Sequence, residues 1–166
     1  RKLPPGTVAT WKRGRLIEGT YWVPPDRVAR DSVPPASDAV ATFLSRLDAA
    51  VSSQMMSDVP FGAFLSGGID SSTIVALMSR HNPKVRTFSV GFGEDRYSEL
   101  PYAAQVAAHF GTQHCEIVVE HRDIIDHLPR LIAFRDAPVS EPSDIPIYLL
   151  AREAARSVKM VLTGEG

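Results

Sequence analysis

Apolar positions follow two different rhythms along the chain. Up to about residue 35 they form short, turn-bounded groups. Residues 7–11 and 16–22 are rich in β-branched and aromatic side chains and lie between Pro4-Pro5-Gly6, Gly14, Gly19 and Pro24-Pro25, which predicts an antiparallel hairpin. Residues 23–35 read as a proline-bearing linker, and a boundary is expected there, with residues 1–31 on one side and 32–166 on the other. Beyond it, helical and strand periods alternate. Ser37 is placed to cap a helix whose apolar positions Val40, Phe43, Leu44, Leu47 and Val51 share one face. Residues 61–65 form a short apolar run, followed by a polar glycine turn and then Ile74, Val75, Leu77 and Met78 at helical spacing.

The alternation continues to the end of the chain. Residues 85–92 predict a second strand of this region. Residues 98–110 predict a helix with the stripe Ala103, Val106, Ala107 and Phe110, which Gly111 is positioned to end. Residues 114–119 predict a third strand. Ile124, Ile125, Leu128, Leu131 and Ile132 are periodic across Pro129, which must kink that helix or start a new one. Ile147, Leu150, Ala151 and Ala154 mark one more helix, and residues 158–162 a fourth strand. Strands alternating with helices predict an α/β fold, a three-layer parallel sheet covered on both faces, preceded by the short N-terminal β-hairpin. Ligands of such sheets bind at the carboxyl ends of the strands.

Composition narrows the function classes. Eighteen basic and nineteen acidic side chains leave a formal charge of -1, so no global positive field favours nucleic acid. No apolar run approaches the roughly 20 residues needed to cross a bilayer. A single cysteine, Cys115, allows no internal disulfide and suits a reducing compartment, so a cytoplasmic address is expected. The chain opens on Arg1 without an initiator Met and stops at Gly164-Glu165-Gly166, inside a glycine-rich turn. Both ends are therefore expected to be cuts, and the fold incomplete at its C-terminal end.

The chemistry concentrates in residues 65–72, Leu-Ser-Gly-Gly-Ile-Asp-Ser-Ser. A buried strand ends, two glycines allow backbone angles and approach distances that a β-carbon forbids, and a helix starts at once. The unpaired amides of that first turn, with the helix dipole, make an anion site. Ser66, Ser71 and Ser72 add hydroxyls without bulk. Asp70 would repel a phosphate unless a cation stood between them, and Mg2+ favours one or two carboxylates together with phosphate oxygens. No lysine follows Gly68 as it would in a GxxxxGK[ST] loop, which suggests a loop for pyrophosphate as a departing group.

The string SGGIDSS resembles the signature of the PP-loop ATP pyrophosphatases, and its surroundings resemble the synthetase domain of the glutamine-hydrolysing asparagine synthetase family. The likeness runs through residues 58–62, 88–92, 101–104, 111–114, 136–138 and 145–149. It closes with residues 160–166, similar to the family's SGEGGDE turn with Thr163 in the serine position.

The resemblance implies a PP-loop (adenine nucleotide alpha hydrolase-like) fold and ATP bound with Mg2+. By that resemblance Ser66, Gly67, Gly68, Asp70, Ser71 and Ser72 take the phosphates and Asp70 also the magnesium. Leu65 and Val90 contact the nucleoside, Thr163 and Gly164 form a second nucleotide-contacting turn, and Glu165 handles the proton of the attacking ammonia. The implied reaction converts aspartate to asparagine through aspartyl-AMP, with ammonia from glutamine. The family's N-terminal cysteine nucleophile has no counterpart at Arg1, so residues 1–31 are expected to be what remains of a glutaminase domain and its linker. The family's further acids in the last turn and a later lysine lie beyond Gly166. A homodimer of the parent protein falls within the same expectation.

Two alternatives stay open: a related amidotransferase or β-lactam-synthetase-like enzyme adenylating another carboxylate, which Pro142 and Asp144 keep in view, and a non-catalytic ATP-binding fragment. Cys115 reads as a small packed thiol rather than a nucleophile. His109, His114 and His121 match no common zinc spacing. Arg135, Asp136 and residues 141–144 are candidates for an amino-acid pocket, although capping by Ser143 explains part of that polarity. Lys2, Lys12, Arg13 and Arg15 beside Trp11 and Trp22 read as an exposed hairpin face.

Overall fold

The computed structural model describes residues 2–24, 34–93, 98–135, 141 and 143–164. The expected roles of Glu165, Asp136 and Pro142, and the middle of the linker, fall outside those residues. The chain divides into two compact units, residues 1–42 and 43–166.

The first unit holds the expected hairpin. Strand β1 (Thr7–Lys12) pairs antiparallel with β2 (Arg15–Thr20), with Thr7 opposite Thr20 and Lys12 opposite Arg15. Arg13 and Gly14 both have positive φ, 50° and 79°, so the two-residue turn has the backbone twist that suits the flanking strands. Trp11 and Ile17 are both exposed.

Helix α1 (Ala36–Gln54) starts two residues earlier than a cap at Ser37 would place it. The Ser37 hydroxyl bonds the Asp38 carboxylate at 3.1 Å, while the amides of Asp38 and Ala39 both reach the Pro35 carbonyl at 3.0 Å. The proline carbonyl, not Ser37, organises this helix start. The predicted apolar stripe is also divided: Val40, Phe43 and Leu44 are exposed, Leu47 is half-buried and Val51 is buried.

The second unit is built on a four-stranded parallel sheet. Its strands are β3 (Phe61–Phe64), β4 (Arg86–Phe92), β5 (Gln113–Val119) and β6 (Met160–Leu162), in the order β5-β4-β3-β6. The register sets Ala63 beside Thr87 and Leu162, and Phe88 beside Cys115. Helices α2 (Ile69–His81) and α3 (Leu100–Phe110) make the first two crossovers. Their residues Val75, Leu77, Met78, Ala103 and Ala107 pack with Val51, Ala63 and Leu65 into one core. Helices α4 (His121–Arg135) and α5 (Asp144–Ala154) make the last crossover. Leu150 and Ala154 pack with Phe88 and Val158, and Val119, Leu131, Ile145 and Leu149 form a further cluster beside them. The strands therefore bury side chains on both faces, which is why they read as nearly unbroken apolar runs.

Between β5 and β6 the chain returns across the sheet, so its direction of travel reverses at β3. That reversal opens a crevice at the carboxyl ends of β3 and β6. Pro129 lies inside α4 and starts no new helix. Its missing N–H leaves the carbonyl of Ile125, a residue that is 72% exposed, without its usual helical donor. Gly111 ends α3 as expected, in the left-handed region at φ 64° and ψ 33°.

Cys115 is half-buried on β5, against the Phe88 cluster. Burial, reinforced by the negative charges of Glu153 and Glu116, pushes its thiol above its ordinary value of 9.0. The associated stability is complete below that value and lost as pH rises through the folded value. Alkylation at pH 8 followed by mass spectrometry is expected to be several-fold slower for the folded chain than for the urea-unfolded chain. Glu153→Gln should speed the folded reaction.

Candidate functional site

The residues at the reversal point are arranged by a short chain of contacts. Leu65 extends β3 by donating its amide to the Phe88 carbonyl at 2.9 Å, and the Ser89 hydroxyl donates to the Leu65 carbonyl. Gly67 then turns the backbone with φ +83°. A β-carbon there would lie 2.6 Å from the Ala103 nitrogen and 2.6 Å from the Tyr102 Cβ. Gly67 is thus required twice, for its backbone angle and for the close approach of the first turn of α3. Gly68 has an ordinary extended backbone at φ −69° and ψ 164°, preceding α2. A β-carbon on it would meet just the Ser66 hydroxyl, at 3.3 Å.

Hydroxyls hold the turn in shape. The Ser71 Oγ accepts from the Ser66 amide at 3.2 Å, lies 2.9 Å from the Ser66 Oγ, and donates to the Gly68 carbonyl at 3.3 Å. The Ser66 Oγ accepts from the Gly68 amide at 3.2 Å. With Ser71 donating to Gly68, Ser66 donates to Ser71, and the three groups form a closed cycle. The first helical amide bond of α2 runs from Ser72 to the Gly68 carbonyl at 3.0 Å. The amides of Ile69, Asp70 and Ser71 come before it and point out of the helix end. Asp70 sits in this first turn, and the Ser72 hydroxyl is buried with no partner among the described residues.

Thr163 and Gly164 follow β6 and complete the crevice. A β-carbon on Gly164 would lie 2.5 Å from the Ser71 nitrogen, so this second turn rests directly against the start of α2. Together these elements enclose a cleft of about 330 Å3. Leu65, Ser66, Gly68, Asp70, Ser71, Val90, Thr163 and Gly164 all line it. Gly67 and Ser72 do not; the first packs against α3 and the second is turned into the protein.

The lining of the cleft is of two chemical kinds. Phe64, Phe88, Ile147 and Leu150 join Leu65 and Val90 as apolar lining, suited to a flat aromatic base. The remaining residues offer backbone amides, serine and threonine hydroxyls and two carboxylates, Asp70 and Glu99. Among the described lining residues there is no basic side chain. Sequence reasoning missed Glu99 and the contribution of α5. The Pro-Ile-Tyr-Leu-Leu run was visible as a helix, but nothing in its period tells that its start faces a ligand site. Oxygen donors with two carboxylates are the right chemistry for a hard divalent cation.

The sequence matches the family model described as asparagine synthase over residues 42–166, nearly the span of the second structural unit. It is 43% identical over 120 residues to a protein of Mycobacterium bovis named for glutamine-hydrolysing asparagine synthetase, covering 72% of this chain and 18% of that one. It is 41% identical over 117 residues to asparagine synthetase [glutamine-hydrolyzing] 1 of Bacillus subtilis, covering 70% of this chain and 18% of that one. The chain thus spans about a fifth of the length of these curated relatives. Among solved structures, an NH3-dependent NAD synthetase from Campylobacter jejuni superposes with a TM-score of 0.52 at 15% identity, covering 76% of this chain and 56% of that one. At that identity the likeness speaks for the fold alone, an α/β fold with a parallel sheet.

Gly67→Ala is expected to strain the loop and push α3 away, destabilising the chain by roughly 1–3 kcal/mol. Gly14→Ala, at an open hairpin position with nothing within 4 Å of the added carbon, carries the positive-φ strain without the clash. Thermal unfolding that showed Gly67→Ala no worse than Gly14→Ala would remove the close-approach role from Gly67.

Proposed function

The chain belongs to the asparagine synthase family, and from that premise we propose that residues 32–166 are the ATP-binding part of a glutamine-dependent ligase that makes asparagine from aspartate. Residues 1–31 are, in this reading, the end of its glutaminase domain and the linker. The observation that carries the proposal is the joining, in one cleft, of a helix N-terminus with unpaired amides and the apolar side chains of Phe64, Leu65, Phe88, Val90, Ile147 and Leu150.

The division of labour follows from the chemistry of each kind of lining. The amides of Ile69, Asp70 and Ser71 and the hydroxyl of Ser66 hold phosphate oxygens, while Ser71, bordering the same cleft, keeps the loop in shape with its hydroxyl. Each such contact is strengthened by the positive end of the α2 dipole. Leu65, Val90, Phe64, Phe88 and Leu150 take the nucleoside, and Thr163 and Gly164 close over it. So placed, the α-phosphorus is open to the side-chain carboxylate of aspartate. A bond forms from carboxylate oxygen to phosphorus and pyrophosphate leaves, giving aspartyl-AMP. Ammonia released from glutamine then attacks the acyl carbon, AMP leaves, and asparagine is formed. Glu165 takes the proton that the attacking nitrogen must lose.

Asp70, with other oxygens of the cleft, would hold Mg2+, which neutralises charge on the departing pyrophosphate. The donor set supports this, because a polyphosphate beside carboxylates and no basic side chain among the described lining residues needs a cation. No helix of the described residues is long and apolar enough to cross a membrane. Together with the single unpaired thiol, this supports the cytoplasmic address.

Isothermal calorimetry of the 166-residue chain with ATP and Mg2+ is expected to give saturable binding, and Asp70→Asn to weaken it by at least about tenfold. Equal heats for the two proteins would reject the assignment of Asp70. For the longer protein, pyrophosphate release should be stimulated by aspartate over a panel of other carboxylates; no stimulation by aspartate would reject the proposed substrate.

A further inference from the structure

Glu99 is a carboxylate in the cleft that the phosphate-loop motif does not announce. Its position is set by two close approaches, one of side chains and one of backbone. The missing β-carbon of Gly91 leaves room for the side chains of Leu100 and Ser98, whose atoms would lie 2.5 Å and 2.6 Å from it. The missing β-carbon of Gly67 leaves room for Tyr102 and Ala103. The turn carrying Glu99 is therefore wedged between the carboxyl end of β4, on the nucleoside side, and the phosphate loop. Its backbone is fixed, because the amides of Tyr102 and Ala103 both donate to the Glu99 carbonyl at 3.1 Å. Its side chain is exposed and lines the cleft.

Two helices thus begin at the cleft with opposite offers. The N-terminus of α2 presents unpaired amides. That of α3 has its amides engaged or absent: Leu100 donates to the Ser98 hydroxyl at 3.4 Å, Pro101 has no N–H, and Tyr102 is bonded to Glu99. What α3 adds is a negative charge. Glu99 has no ion-pair partner among the described residues, and no basic side chain among them lines the cleft. A polyanionic ligand would face two carboxylates and be repelled by both, unless positive charge enters with it.

We propose that Glu99 acts with Asp70 on the divalent cation that accompanies the nucleotide, directly or through a bound water, so that the cleft admits the triphosphate as a metal complex and disfavours the bare anion. This rests on the reading of the cleft as an ATP site. The bland alternative is that Glu99 serves only the dipole of α3, where an acid at the first turn is favourable by itself.

The two roles differ in linkage. ATP affinity of the full 166-residue chain is measured by calorimetry with Mg2+ and again with the metal chelated, for the native protein and for Glu99→Gln. Manganese binding in the presence of ATP is followed in parallel by electron paramagnetic resonance. The proposal expects Glu99→Gln to bind the metal-free nucleotide as well as the native chain or better. It expects binding of the metal complex to fall by roughly 10- to 100-fold, so the gain conferred by the metal shrinks by at least about tenfold. Glu99→Asp should recover part of it. An unchanged metal-dependent gain overturns the proposal, whether the variant binds ATP normally or loses affinity equally with and without metal. A native chain that binds no ATP under either condition overturns the nucleotide reading itself, and the role of Glu99 with it.

Discussion

The contact between Gly67 and the first turn of α3 governs the rest of the site. Two backbone segments meet there at a distance that no side chain tolerates, and the meeting brings the end of β3, the start of α2 and the start of α3 to one place. A second such contact, Gly164 against the amide of Ser71, brings in the turn after β6. The parallel sheet supplies the crevice by reversing its order at β3. The two glycine contacts narrow that crevice until backbone amides, rather than long side chains, can reach a ligand. Amides held in this way need no reorganisation when a phosphate arrives, which is the condition for strong electrostatic stabilisation of developing charge.

Using amides as donors has an electrostatic consequence. They carry partial charges, and a helix N-terminus is equivalent to roughly half a positive charge, which falls short of what a triphosphate requires. A loop with a lysine would supply a whole charge from the protein. This loop has Asp70 instead, with Glu99 lining the same cleft, and so adds negative charge where negative charge is to be bound. The arrangement makes sense when the missing positive charge travels with the ligand, and when the group to be stabilised is a leaving pyrophosphate that departs with that charge.

The order of elements, the three-layer sheet and the phosphate loop were legible because they rest on local signals: period two against period 3.6, glycine pairs, and a buried run ending in serine. Gly111 ended its helix where a left-handed residue was needed. Features that depend on what a segment meets were not legible. Val40, Phe43 and Leu44 share a helical period with Val51, yet just the end of that stripe is buried; periodicity defines a face without saying what covers it. Ser37 has the right chemistry for a cap, but Pro35 two residues earlier supplied the acceptor first. Glu99 lay hidden because its turn reads as an ordinary helix start, and what brings it to the phosphate loop is a contact of Gly67 with residues far along the chain.

The motif itself conceals a division that the geometry separates. Read as a string, Ser-Gly-Gly-Ile-Asp-Ser-Ser assigns every polar or small member to the ligand. In the fold, Gly67 faces α3, the Ser72 hydroxyl faces inward, and Ser71, although it borders the cleft, uses its hydroxyl to hold Ser66 and Gly68 in place. The groups free to meet a ligand are the amides of the first turn, the Ser66 hydroxyl once its bond to Ser71 is exchanged, and the Asp70 carboxylate. Substitutions in the first set act through the shape of the loop and lower stability along with binding. Those in the second act on binding with the fold left intact. A signature of this length is specific because it encodes a turn and its ligand at once, and Gly67 is there because its neighbours leave room for nothing larger.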